Sequence, residues 1–149
     1  MIKEGMDTTL LAGAAQADIS PRQPLFLVGY PHVPRISTGI HDPLLATALC
    51  LRQGSQAILL IAVDILFINP PTARRLRRRI ADATGLPEAS VFLSCSHTHS
   101  GPVTHTMIAW ESDPLVPPPD PDYLRQFETG ILDAARAAAR RMQPAELAW

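Results

Sequence analysis

The chain has 149 residues, 46% of them apolar and 18% charged, with a formal net charge of −1. That length is one domain's worth and buries roughly 68–70% of its unfolded surface, so a true core forms and a disordered chain is excluded. The near-zero charge excludes a global pull toward nucleic acid or an anionic membrane.

The first twenty residues, MIKEGMDTTLLAGAAQADIS, carry mixed charge and only a short apolar stretch, unlike a secretory leader. Within them, LLAGAAQADIS (10–20) predicts a weak strand ending at Ser20-Pro21. PLFLVGY (24–30) predicts a short strand or extended segment, and PHVPRISTGIHDP (31–43) a loop punctuated by proline and glycine. LLATALCLRQG (44–54) alternates and reads as a strand. Gly54-Ser55 turns it into QAILLIAVDIL (56–66). That near-continuous apolar run predicts a strand covered on both faces.

The longest apolar run, AILLIAVDILFI (57–68), contains Asp64 and falls short of the about 20 residues a bilayer span needs. The expectation is a soluble, cytoplasmic chain with no transmembrane segment. Cys50 and Cys95 both sit in apolar, strand-like runs and read as reduced, buried thiols.

A helix follows with a clear start. Asn69 caps it, Pro70 and Pro71 suit its first turn, and Gly85 ends it. Ala73, Leu76, Ile80 and Ala83 recur at helical spacing. Its arginines 74, 75, 77, 78 and 79 read as a solvated outer face, since no aromatic residue is interleaved as a nucleic-acid surface would require. The strand SVFLSCS comes next, then a long loop from 101 to 120. Asp120 and Pro121 open a second helix, with Leu124, Phe127, Ile131, Ala135, Ala138 and Met142 on one stripe. Strands alternating with helices define an α/β layered domain, and the adjacent early strands make its sheet mixed. No repeat and no linker divides residues 1–149, so the chain reads as a single domain.

The stretch SCSHTHSGP (94–102) holds two of the five histidines. Residues two apart share a face of a strand, so Leu93, Cys95, His97 and His99 would line one side. Two imidazoles at a strand's C-terminal end sit where α/β sheets bind ligands. Neutral imidazole is the commonest metal ligand. The pair could supply one or two ligands, or a ligand and a proton-transfer group, or simply be two hydrogen-bonded histidines at a strand end.

SCSHTHSGP resembles the THTHSGP signature of the neutral/alkaline, non-lysosomal ceramidase family. AGAAQADISP is similar to that family's opening strand, GYPHVPRISTGIHDPLLATALCL to its Gly-Tyr segment with the following Gly-Ile-His, and ILLIAVDIL to its strand with an Ala-Asp step, here Val63-Asp64. The pieces occur in the family's order across residues 10–145. The resemblance implies zinc-dependent hydrolysis of the amide of N-acylsphingosine, giving a fatty acid and sphingosine. It implies His97 as a zinc ligand and His99 as an active-site residue beside the metal, handling a proton. It places Gly29 and Tyr30 near the mouth of the site, with His41 on the substrate side, and gives Asp64 a catalytic or site-supporting role. The partner is then a lipid-like N-acyl amide.

The family's other zinc ligands, a histidine, a glutamate and a tyrosine, lie far downstream of this signature. RRMQPAELAW reads as a helix end running into a new strand. The expectation is therefore the N-terminal part of a catalytic domain, inactive alone, whose natural partner is the remainder of the same polypeptide. It should carry an exposed apolar patch or an unpaired strand edge beside His97 and His99. Two other classes remain open: a different metal-dependent hydrolase, and a non-catalytic structural or interaction module.

The longest loop adds one more expectation. Met107, Ile108, Trp110, Leu115 and Val116 give residues 101–120 an apolar inventory suited to a lid over a lipid chain, or to packing on further polypeptide.

Overall fold

The computed structural model of the protein describes residues 9–106 and 113–148. Five strands form one sheet: β1 (Leu10–Asp18), β2 (Leu45–Gln53), β3 (Gln56–Val63), β4 (Val91–Cys95) and β5 (Gln143–Pro144), in the order β4-β3-β2-β1-β5. β3 and β4 run parallel and every other pair is antiparallel. This is the mixed sheet that the sequence predicts.

A parallel pair needs a long crossover, and here it contains helix α1 (Pro70–Thr84). The Asn69 side chain accepts from the Thr72 N–H at 2.9 Å, and Gly85 closes the helix in the left-handed conformation at φ 73°. Both boundaries agree with the sequence reading. Helix α2 (Pro121–Arg140) starts at Asp120, whose carboxylate accepts from the Tyr123 N–H. A turn of 3-10 helix, Glu88–Ser90, leads into β4.

Both helices pack on the same face of the sheet. The row Ala15, Ala48, Ile61 and Leu93, paired across four strands, points into this layer. It meets Phe127, Ile131, Ala135 and Ala138 of α2, with Leu76 and Ile80 of α1. Phe127, Ile131, Ala135 and Ala138 of the predicted stripe are therefore core, while Leu124 is half-buried outside that cluster. Met142 lies just past the helix and is half-buried against the same cluster.

The next row, Ala14, Leu49, Leu60 and Phe92, points the opposite way. No described helix covers it, and Leu60 and Phe92 are 38% and 54% exposed. The expectation that strand 57–66 is covered on both faces is corrected. A run apolar at every position supplies two apolar faces, but α1 and α2 lie together on one of them.

Of the two forms read for 24–30, the structure has the extended segment, with isolated bridges of Phe26 to Ile36 and Leu27 to Pro102. Two further readings change. The final strand is Gln143–Pro144, on the open side of β1; beyond it the Ala145 N–H reaches the Leu10 carbonyl, and AELAW adds no strand among the described residues. The arginine helix is not wholly solvated, since Arg75 and Arg79 both bond the Glu128 carboxylate of α2 and tie the two helices together. Cys50 and Cys95 are free thiols; Cys50 is buried as expected, Cys95 is only half-buried, and burial pushes both above the usual thiol range.

No helix among the described residues is long and apolar enough to cross a membrane. Met107, Ile108 and Trp110 lie outside the described residues. Leu115 is 41% exposed, and Val116 packs on a small second cluster of Phe26, Val28, Leu66 and Val103.

Candidate active site

β3 and β4 end side by side, with Val63 opposite Cys95. The loops that follow continue the contact. The Ser96 N–H donates to the Val63 carbonyl at 3.0 Å and the His97 N–H to the Ile65 carbonyl at 3.1 Å. The histidine loop thus sits at the C-terminal ends of the parallel strands, where open α/β sheets take ligands.

β4 stops at Cys95, so strand alternation does not put His97 and His99 on one face. A tighter bend does. His97 adopts φ 61°, a left-handed conformation that costs a non-glycine residue about 1–2 kcal/mol. The two imidazole centroids come to 5.3 Å, with the rings inclined at 66°.

The pair belongs to a row of four rings. Tyr30 meets His99 at 4.9 Å between centroids, and Phe67 meets His97 at 4.7 Å, both edge to face. Behind His99 lies Gly29 at φ 133°, where a Cβ would stand 2.5 Å from the imidazole Nδ1 and Cγ. Only glycine permits that approach. The Nδ1 is buried and has no hydrogen-bond partner among the described residues. An unpartnered buried nitrogen costs about 1–3 kcal/mol. With Nδ1 closed off by the Gly29 backbone, proton exchange or ligation by His99 must use Nε2.

The loop bearing Gly29 and Tyr30 is held from three sides. The Val28 N–H donates to the Gly101 carbonyl at 3.1 Å. Arg35 Nη1 donates to the His99 carbonyl at 3.0 Å, and its guanidinium carbon lies 4.7 Å from the Tyr30 ring centroid. The His32 N–H donates to the Asp113 carboxylate at 2.6 Å. That N–H, with a second bond from the Leu115 N–H, holds the Asp113 carboxyl below the usual carboxylate range, although burial opposes the shift.

On the far side, the Thr104 hydroxyl donates to the Phe67 carbonyl at 2.8 Å. Its hydrogen being used there, its oxygen accepts from His105 Nδ1 at 3.3 Å. Burial pushes the His105 imidazole below its ordinary value and favours the neutral ring.

Of the residues singled out from sequence, Gly29, Tyr30, His97 and His99 are brought together. His41 and Asp64 are placed elsewhere. They line a cleft of about 760 Å³ with Leu27, Ile36, Thr98 and Ser100, on the other side of the histidine loop. The Asp64 carboxylate accepts the Leu45 N–H at 3.0 Å, and the exposed His41 ring pairs with Asp42. Arg35, Phe67, Thr104 and Asp113 were not foreseen. Nothing in local spacing marks an arginine inside a proline-glycine loop, or an aspartate 81 positions from its partner His32.

The donor set fits part of a zinc centre. Imidazole nitrogen suits zinc, but a catalytic zinc takes three protein ligands. Among the described residues no group of three or more histidine, cysteine, aspartate or glutamate side chains is placed to hold a metal.

A mixed sheet with helices on one face, and a histidine loop at the ends of its parallel strands, defines an α/β domain. Solved structures share this fold: a neutral ceramidase from Pseudomonas aeruginosa, at TM-score 0.69 and 21% identity, and a ceramidase complexed with C2, at TM-score 0.72 and 21% identity. Each match covers 93% of this chain and 22% of the other, so the chain spans under a quarter of the length of these structures. No family model and no curated protein matches the chain.

Proposed function

We propose that this chain forms the histidine-bearing part of a zinc-dependent amide hydrolase of ceramidase type, acting on an N-acylsphingosine-like lipid to give a fatty acid and a long-chain amine. One observation carries the reading. His97 and His99 stand ring to ring on a strained loop at the C-terminal ends of β3 and β4, in a fold shared with ceramidase structures.

In this reading His97, whose ring is exposed, contributes a nitrogen to the metal. Zinc, when bound, supplies Lewis acidity toward the amide carbonyl. His99 exchanges a proton with the reacting groups through Nε2, its Nδ1 being closed off by Gly29. The Gly29 backbone and the Tyr30 ring border the amide on one side. Asp64 supports the site by locking the end of β3 to the start of β2. His41 serves the substrate from the adjoining cleft. In this reading further donors, which the described residues do not supply as a group of three, complete the site, and residues 1–149 alone are inactive.

The test is release of fatty acid from N-acylsphingosine, measured for residues 1–149 and for a polypeptide extended by the following sequence of the gene. The expected result is turnover by the extended form only, abolished by His97→Ala. Full turnover in His97→Ala would remove His97 from the chemistry.

A further inference from the structure

We propose that Arg35 is a positioning residue that holds the His99 imidazole in place, by clamping the His99 carbonyl and the Tyr30 ring with one guanidinium.

Three contacts carry this. Arg35 Nη1 donates to the His99 carbonyl at 3.0 Å. The same guanidinium lies over the Tyr30 ring, 4.7 Å from its centroid, within the range of a cation–π contact. The Arg35 carbonyl accepts the Leu27 N–H at 2.7 Å, which fixes where the side chain begins. The Tyr30 ring in turn sets its edge against the His99 imidazole.

The His99 ring needs such a clamp because little else holds it. Among the described residues its Nδ1 has no hydrogen-bond partner to set its rotation. It is confined by the Gly29 backbone behind, by Tyr30 on one side and by His97 on the other. Gly29 and Tyr30 belong to a loop with no regular strand pairing, and His99 to another. Arg35 bonds the His99 loop and stacks on Tyr30 of the other loop. A guanidinium can donate in its plane while a ring stacks on its face; an ammonium is a compact charge on a flexible stem, without that fixed planar fork, and serves the two contacts less well.

The inference rests on the proposed function only for the importance of His99; the clamp itself is a matter of geometry. Histidine-labelled protein of residues 1–149 supplies the test. The rings of His32, His41, His97, His99 and His105 are observed by NMR, with the nuclear Overhauser contact between Tyr30 and His99 as readout. Arg35→Ala is expected to erase that contact and shift the His99 ring signals, leaving His41, His105 and the sheet amides unmoved. Arg35→Lys is expected to keep the folded amide spectrum and weaken the contact without erasing it. A Tyr30–His99 contact of undiminished strength in either variant overturns the proposal. Loss of the contact in Arg35→Ala, together with no release of fatty acid from N-acylsphingosine by the extended wild-type polypeptide, would sink the hydrolase reading and leave the clamp standing.

Discussion

Gly29 lies so close to His99 that a single methyl group added to it would stand 2.5 Å from the imidazole Nδ1. Backbone and ring therefore exclude each other's alternatives. The glycine cannot gain a side chain while the ring stays, and the ring cannot rotate toward the glycine. Gly29→Ala is expected to displace the His99 ring and to destabilise the chain by about 1–3 kcal/mol, from strain at a backbone that L side chains rarely adopt. Denaturant unfolding measures it. Gly39→Ala is the control, because nothing lies within 4 Å of a Cβ there; it should change stability by less than about 0.5 kcal/mol. Equal costs at the two sites would contradict the packing described.

Asp113 gives the loop an acid limit. Its carboxyl is held below the usual range by the His32 and Leu115 N–H groups. A depressed carboxyl contributes stability that is fully present above its unfolded value, about 3.9 for aspartate, and is lost as pH falls through its lower folded value. The acid transition that Asp113 imposes on the His32 and Leu115 amide signals should therefore fall below about 4. Asp113→Ala should remove that acid transition at both amides. A transition that persists unchanged in the variant would assign it to another group.

The two faces of β3 should respond differently to truncation. Ile61 is 1% exposed and its neighbour Leu60 is 38% exposed. Ile61→Ala is expected to cost about 2–5 kcal/mol, through lost burial and the cavity left behind. Leu60→Ser and Phe92→Ser are expected to cost far less in the 149-residue chain and to lower its binding of a hydrophobic dye. Comparable losses at Leu60 and Ile61 would show that the open face is covered in solution.

Zinc should bind residues 1–149 weakly, because two imidazoles leave a catalytic site short of donors. Titration calorimetry should give weak binding that His97→Ala removes and His41→Ala spares, since His41 faces the separate cleft. Tight stoichiometric binding would mean that the chain supplies a full ligand set, and binding untouched by His97→Ala would place the metal elsewhere.

Glu128 accepts from Arg75 and Arg79, whose side chains are about half exposed. Glu128→Gln should cost no more than about 1 kcal/mol, and the loss should shrink as salt is added. A larger, salt-independent loss would point to packing in place of charge.

The local order was legible in the residues themselves. Asn69 with Pro70 and Gly85 marked α1, and Asp120 with Pro121 marked α2, because caps act within a single turn and need no tertiary partner. The Phe127, Ile131, Ala135 and Ala138 stripe named its own buried face. The His-x-His pair and the Gly29-Tyr30 segment were legible as motifs, and they do converge. Tertiary structure decided the rest. It chose which apolar face of β3 is buried, since a run apolar at every position fits either face and the helix layer picks one. It brought Arg35 from a proline-glycine loop to the His99 carbonyl across 64 positions, and Asp113 to His32 across 81. It also separated Asp64 and His41 from the imidazoles that sequence grouped with them. Such pairings depend on where strands end and loops cross, and spacing along a chain carries no record of that.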